Sequence, residues 1–190
     1  MYYAVRKGRE TGIFESWREC ERMVRNFSGA EFKSFSTTEE AQAYLDYNPV
    51  VTMPEDDYAF VDGSYNVKTG VYGYGLVLVH NGKRYLSNGA GTDQSLASMR
   101  NVAGEILGAR QAVALAVSLG MSEITLCYDY KGIECWATGE WKANLDGTKD
   151  YALYIKNAPI KVKFFKVKAH SGVEGNEEVD NLAKKAVGVI

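Results

Sequence analysis

The 190-residue chain is poor in proline (three), cysteine (three) and histidine (two), and it has almost no net charge, −2. Each scarcity excludes something. Cys20, Cys127 and Cys135 are odd in number and include no C-x-x-C pair. Neither a disulfide framework nor a thiolate zinc or redox motif is expected, and three reduced thiols suit the cytoplasm. No apolar run approaches the ~20 residues of a membrane span. The start, Met1-Tyr2-Tyr3-Ala4-Val5-Arg6, has neither the long apolar stretch nor the small-residue cleavage site of a secretory signal, so the protein is expected to stay where it is made. Near-neutral charge argues against a nucleic-acid partner, because such domains are usually basic. That objection weakens if acidic side chains surround divalent cations, which would cancel their charge.

Two of the three prolines, Pro49 and Pro54, fall in residues 47–57, which read as a linker. Fully extended, that segment reaches under ~40 Å, about one turn of a nucleic-acid duplex. Residues 1–46 read as strand, turn, strand, helix, strand, helix. Ser16/Glu19 and Thr37/Glu40 are capping boxes that open the two helices. Trp17, Cys20, Val24 and Phe27 recur at helical spacing. Residues 58–190 open with strands over 58–65, 71–79 and 83–89, the last two joined by the turn signal Asn81-Gly82. A helix over 105–119 ends at Gly120. A strand over 124–129, helices near 132–138 and 150–157, a strand over 162–167 and a helix from about Glu177 follow. The order predicts an α/β protein: a mixed five-stranded sheet with flanking helices, preceded by a small α+β unit.

Four carboxylates stand out. Asp62 interrupts the apolar strand Ala59-Phe60-Val61-Asp62-Gly63-Ser64, and Asp129 ends Ile124-Thr125-Leu126-Cys127-Tyr128. Aspartate is disfavoured in strands, so each is paired, solvated at a strand end, or a ligand. Glu105 begins an Ala-rich helix, where a charge on the helix dipole would explain it equally well. Asp180, beside Val179 and Leu182 on the last helix, fits an ordinary solvated face. If the four converge, they suit hard cations that want anionic oxygens. Two such ions ~3.5–4 Å apart can support in-line phosphodiester hydrolysis. Spacing alone does not establish convergence.

The flanking residues are more specific. Asp62-Gly63-Ser64 after a strand, Arg100-Asn101-Val102-Ala103-Gly104-Glu105, Tyr128-Asp129, and His170-Ser171-Gly172-Val173-Glu174-Gly175-Asn176-Glu177-Glu178-Val179-Asp180 resemble the four motif stations of type 1 ribonuclease H over about 58–187. The resemblance implies that Asp62, Glu105, Asp129 and Asp180 bind two Mg²⁺, with Mn²⁺ as a substitute. It implies that His170, an imidazole titrating near neutrality, assists proton transfer or product release. Asn101 and the backbone around Gly63 and Ser64 would contact an RNA/DNA hybrid, including its 2′-hydroxyls, with Gln94, Ser98 and Arg100 as weaker candidates. The expected reaction is endonucleolytic cleavage of the RNA strand, leaving 5′-phosphate and 3′-hydroxyl ends, by a monomer. His80, beside its turn, reads as a solvated side chain. Only 40 residues separate Asp129 from His170, little room for an additional basic substrate-gripping helix, although Trp141-Lys142 could be a remnant of a phosphate contact.

Substrate affinity should then come from elsewhere. Tyr3, Arg6, Lys7, Arg9, Trp17, Arg22, Arg25 and Lys33 mix aromatic and basic residues within 33 positions, a combination suited to stacking and to sugar-phosphate backbones. Tyr2 to Arg9, Thr11-Gly12-Ile13-Phe14, Trp17, Cys20 and Phe32-Lys33-Ser34-Phe35 resemble the hybrid-binding domain at the N-terminus of many type 1 ribonucleases H. That resemblance implies that Tyr3, Trp17, Phe32 and Lys33 face the DNA strand and that the Gly8–Gly12 turn meets RNA 2′-hydroxyls. Ser34 replaces a frequent second lysine. Whether Trp17 is exposed or part of the core is open from sequence. Two rivals remain: a DNA-directed nuclease of the same fold, such as a transposase, integrase or resolvase, and a hybrid-binding protein without activity. The Asn101/Glu105 segment and the His170 loop disfavour the first. The presence of all four carboxylates disfavours the second.

Overall fold

The computed structural model describes residues 1–27, 29–46, 54–167 and 174–190, apart from the side chains of Gln94, Ser95 and Glu174. The chain divides into two compact units, Met1–Thr52 and Met53–Ile190.

In the first unit, β1 (Tyr2–Lys7) lies between β2 (Gly12–Phe14) and β3 (Glu31–Phe35) in an antiparallel sheet. Helices α1 (Trp17–Val24) and α2 (Thr38–Asp46) complete it. Both helices start where a cap is written in the sequence. The Glu19 N–H donates to Ser16 Oγ at 3.3 Å. The Glu40 N–H donates to Thr37 Oγ1 at 3.2 Å, and Glu40 Oε2 accepts the Thr37 N–H at 3.4 Å. Each bond satisfies an amide that the first helical turn cannot. The strand period of two sends Val5 toward Cys20 and Val24 of α1. Ala4 and Ala41 are also fully buried. So few buried side chains make a marginal core.

The second unit contains β4 (Tyr58–Asn66), β5 (Val71–His80), β6 (Lys83–Gly91), α3 (Gln94–Ala97), α4 (Asn101–Ser118), β7 (Glu123–Tyr128), α5 (Gly132–Thr138), α6 (Asp146–Lys156), β8 (Lys161–Lys166) and α7 (Glu174–Ala186). The sheet order is β6-β5-β4-β7-β8. The β4/β5 and β5/β6 pairs are antiparallel, whereas β4/β7 and β7/β8 are parallel. Ala59, Val61, Leu76, Leu78, Ile124 and Leu126 pack one face against Ile106, Ala109, Ala112 and Val113 of α4. Phe60, Val77 and Cys127 turn to the other face and meet Val179 of α7. The expected α/β architecture is therefore present, with α4 and α7 on opposite faces.

Glycine sets how closely those helices approach. A Cβ on Gly75 would lie 2.1 Å from the Val179 carbonyl oxygen, and one on Gly104 would lie 2.0 Å from the Gly73 carbonyl oxygen. Neither backbone could give way without moving a helix.

Several boundaries differ from expectation. The α4 helix starts at Asn101, four residues before Glu105, because Arg100 (φ 55°) makes the entry without a side-chain cap. Likewise α6 begins at Asp146 with no side-chain cap at Leu145. The last helix begins by Glu174 rather than Glu177, and the short α3 carried no start signal. His80 is not merely solvated. Its Nδ1 meets the Asp57 carboxylate and the Asn81 amide reaches its Nε2 at 2.9 Å. Chain ahead of β4 folds onto this corner: the Asn81 N–H donates to Asp56 Oδ2 at 2.9 Å, and the Thr125 N–H donates to the Asp57 carbonyl at 2.8 Å.

Candidate active site

Strands β4 and β7 pair in parallel up to Phe60 opposite Cys127. Two residues farther along each strand stand Asp62 and Asp129, carried to the same face by the strand period. The carboxyl ends of parallel strands are where an α/β sheet opens a crevice. Helix α4 crosses this end directly over Gly63, where a Cβ would lie 2.1 Å from the Asn101 carbonyl oxygen and 2.5 Å from the Glu105 nitrogen. The missing side chain lets the helix press Glu105 against the two aspartates.

Glu105 is only 4 % exposed. Carboxylate oxygens of Asp62, Glu105 and Asp129 all lie within 4.8 Å of one another. Asp180, from α7, lines the same cleft of about 390 Å³ together with Gly63, Asn101, Tyr130 and Asn176. Its Oδ2 accepts from Lys184 Nζ at 2.6 Å.

The crowding has an electrostatic cost. Burial, then the neighbouring Asp129, pushes Asp62 up to about 7. The Gly63 N–H, donating to Asp62 Oδ1 at 2.8 Å, and the Lys184 ammonium pull the other way. Burial, then Asp129 and Asp62, pushes Glu105 up to about 9. Like charges this close resist joint ionisation. A hard divalent cation removes that resistance and prefers an all-oxygen donor set. The donor chemistry therefore fits Mg²⁺ or Mn²⁺.

The positions singled out from sequence fare differently. Asp62, Gly63, Asn101, Glu105, Asp129 and Asp180 are brought together. Ser64 and Arg100 are sequence neighbours of Gly63 and Asn101 but are not among the lining residues. His170 lies outside the described residues. In the first unit, Trp17 is 44 % exposed and Phe32 41 %. Tyr3 and Trp17 ring centroids are 5.7 Å apart, and Trp17 and Phe32 are 5.6 Å apart. These three form one aromatic platform, so Trp17 is not a core residue. Lys33 does not join it. It follows Phe32 on β3 and so points to the opposite face, its Nζ 5.5 Å from the Phe35 centroid.

Three residues escaped sequence reasoning. Tyr130 follows Asp129, lines the cleft, and packs 5.8 Å from Trp136 and 6.4 Å from the partly exposed Trp141. Asn176 is buried and Lys184 is paired to Asp180. Both lie four residues from Asp180, on the same helical face. That signal was available in the spacing once the helix was known to span all three.

Comparison with known proteins covers both units. The ribonuclease H family profile matches residues 54–188. A profile described as the ribonuclease H1 N-terminal domain matches residues 1–45. Ribonuclease H1 of Mus musculus is 24 % identical over 258 aligned positions, covering 97 % of this chain and 88 % of the mouse protein. Ribonuclease H of Francisella philomiragia is 30 % identical over 154 positions, covering 73 % of this chain and 95 % of that protein. The crystal structure of LC11-RNase H1 in complex with an RNA/DNA hybrid superposes with a TM-score of 0.53 at 16 % identity, covering 68 % of this chain and 97 % of that one. At that identity the likeness speaks for the fold.

Proposed function

The chain belongs to the ribonuclease H family, and from that premise we propose that it hydrolyses the RNA strand of RNA/DNA hybrids at the cleft formed by Asp62, Glu105, Asp129 and Asp180. The carrying observation is the convergence of three carboxylates within 4.8 Å where two parallel strands part, with the fourth in the same cleft. The four side chains would hold two Mg²⁺, or Mn²⁺ as a substitute. When bound, such ions polarise the scissile phosphate and acidify the attacking water.

The chain's own residues do the rest. Asn101 and the backbone at Gly63 reach into the cleft and orient the RNA strand, where 2′-hydroxyls distinguish it from DNA. Ser64 and Arg100 flank that contact. A water oxygen bonds to phosphorus as the bond to the 3′-oxygen breaks. The products carry a 5′-phosphate and a 3′-hydroxyl, and the leaving oxygen takes a proton. His170 handles proton transfer or product release. Tyr3, Trp17 and Phe32 offer an exposed platform to the DNA strand, so residues 1–46 hold the hybrid while residues 58–190 cut it. The enzyme acts as a cytoplasmic monomer. No helix among the described residues is long and apolar enough to cross a membrane.

The decisive experiment incubates the full chain with a uniform RNA/DNA hybrid and with duplex DNA, in Mg²⁺, Mn²⁺ or EDTA. Internal RNA cuts with 5′-phosphate ends are expected from the hybrid with either ion, and none with EDTA. Cutting of duplex DNA at a comparable rate would instead favour a DNA-directed nuclease.

A further inference from the structure

Asn176, Asp180 and Lys184 form one row along α7, because residues four apart share a helical face. Lys184 Nζ lies 2.6 Å from Asp180 Oδ2, and the two side chains are 37 % and 25 % exposed. The same ammonium acts on Asp62, opposing the effect of Asp129 and Asp180. It is therefore a built-in cation at the edge of the acidic cleft. The four carboxylates are also unequal. Asp62, Glu105 and Asp129 are gathered within 4.8 Å. Asp180 lines the cleft but is held by a lysine from its own helix.

We propose that Lys184 is an internal counter-ion that latches Asp180 and must release it before Asp180 can share in binding a divalent cation. Lys184 is thus a positioning residue that sets how readily the Asp180 side of the cleft fills. The inference rests on the assignment of these carboxylates as a metal site. It explains why a cleft with four acidic side chains can persist between metal-binding events: one carboxylate keeps an ammonium partner until an ion competes for it. It also makes a prediction opposite in sign to that of an ordinary surface pair. An i,i+4 pair only stabilises its helix. A latch weakens metal binding while it is closed, so its removal should strengthen binding.

The test is titration of the full-length protein with Mn²⁺ alone, without nucleic acid, following free Mn²⁺ by electron paramagnetic resonance. Lys184→Ala is expected to bind Mn²⁺ several-fold more tightly, up to about fivefold, the scale of one partly exposed ion pair. Lys185→Ala removes the same charge from the exposed neighbouring residue and is expected to shift affinity less than about twofold, since exposed charges are screened. In an Asp180→Asn background, Lys184→Ala should gain much less, keeping only the weaker action of the ammonium on Asp62. Unchanged or weaker Mn²⁺ binding in Lys184→Ala, or an equal gain in the Asp180→Asn background, overturns the latch. Glu105→Gln separates the two levels. If it binds Mn²⁺ as the unsubstituted protein does, the metal-site assignment itself fails. If it loses Mn²⁺ while Lys184→Ala gains nothing, only the latch fails. Should Lys184→Ala not fold, Lys184→Gln keeps the chain length, and its melting temperature must rise more on Mn²⁺ addition than that of the unsubstituted protein.

Discussion

Glu105 is almost completely buried beside two aspartates, and a substitution there separates charge from shape. Glu105→Gln keeps the volume and removes a ligand oxygen's charge. Cleavage of a hybrid should fall about a hundredfold or more, because the bound ions contribute several kcal/mol of transition-state stabilisation. In EDTA at pH 8 the variant should melt above the unsubstituted protein, since glutamine is neutral in both states and the chain no longer has to take up a proton to bury the side chain at this position. The pH dependence follows from the same crowding. Asp62 and Glu105 ordinarily titrate at 3.8 and 4.5 but sit near 7 and 9 in the fold. Raised values mean that the folded state holds protons the unfolded chain has lost. The contribution to stability is complete below about pH 4 and disappears as pH rises through 7 and then 9. Metal-free protein should therefore melt lower at pH 9 than at pH 6, and Mg²⁺ should restore most of the difference. An EDTA melting temperature that climbs over that interval would contradict the assignment. Aspartate in an apolar strand is unusual and drew notice to Asp62 and Asp129, but strand context left them ambiguous and only the flanking motifs pointed to a site. Glu105 was ambiguous: placed at a helix start it passes for a dipole charge, whereas in the fold it lies one turn inside α4.

At the scale of elements, the site depends on how closely helices lie on the sheet. Gly104→Ala would set a Cβ 2.0 Å from the Gly73 carbonyl oxygen and 2.9 Å from the Gly63 Cα. Because both obstacles are backbone, α4 must shift and carry Asn101 and Glu105 with it. Thermal melts should show a loss of about 1–3 kcal/mol, the usual cost of overpacking, accompanied by a fall in cleavage. In the first unit, β1, β3 and α1 jointly build the Tyr3–Trp17–Phe32 platform. Trp17→Ala should weaken hybrid binding by about 1–3 kcal/mol, the cost of losing one stacking ring. The turnover number at saturating hybrid should not change. Lys33→Ala should cost less, because Lys33 lies on the other face of β3. Affinity measurements on the two variants, side by side, check that order. Element starts were legible where a cap marks them, at Ser16 and Thr37, and illegible at Arg100 and Leu145, where no side chain caps the helix.

Across the whole molecule, the net charge of −2 leaves little non-specific attraction to nucleic acid, so capture must be local. Removing residues 1–50 should weaken hybrid affinity at moderate salt and shorten processive cutting, with the turnover number at saturating hybrid intact. The tether otherwise keeps the nuclease unit at high effective concentration beside a bound hybrid. A truncated chain with full affinity would show that the first unit does not capture substrate. The short interval between Asp129 and His170 points the same way on sequence grounds, since it leaves little room for a further basic helix.

What the sequence by itself determined was local or periodic: two caps, the Asn81-Gly82 turn, strand alternation, and short motifs around the carboxylates that resemble those of a known family. Those signals depend on neighbours a few residues apart, so they survive without a fold. Tertiary structure alone decided the rest. The β4/β7 register brings Asp62 beside Asp129, Gly63 lets α4 deliver Glu105, and strand parity sends Lys33 away from Trp17. The α7 row pairs Asp180 with Lys184. Each of these depends on which surfaces meet across long sequence separations or on where an uncapped helix begins, and neither is written in a local stretch of chain.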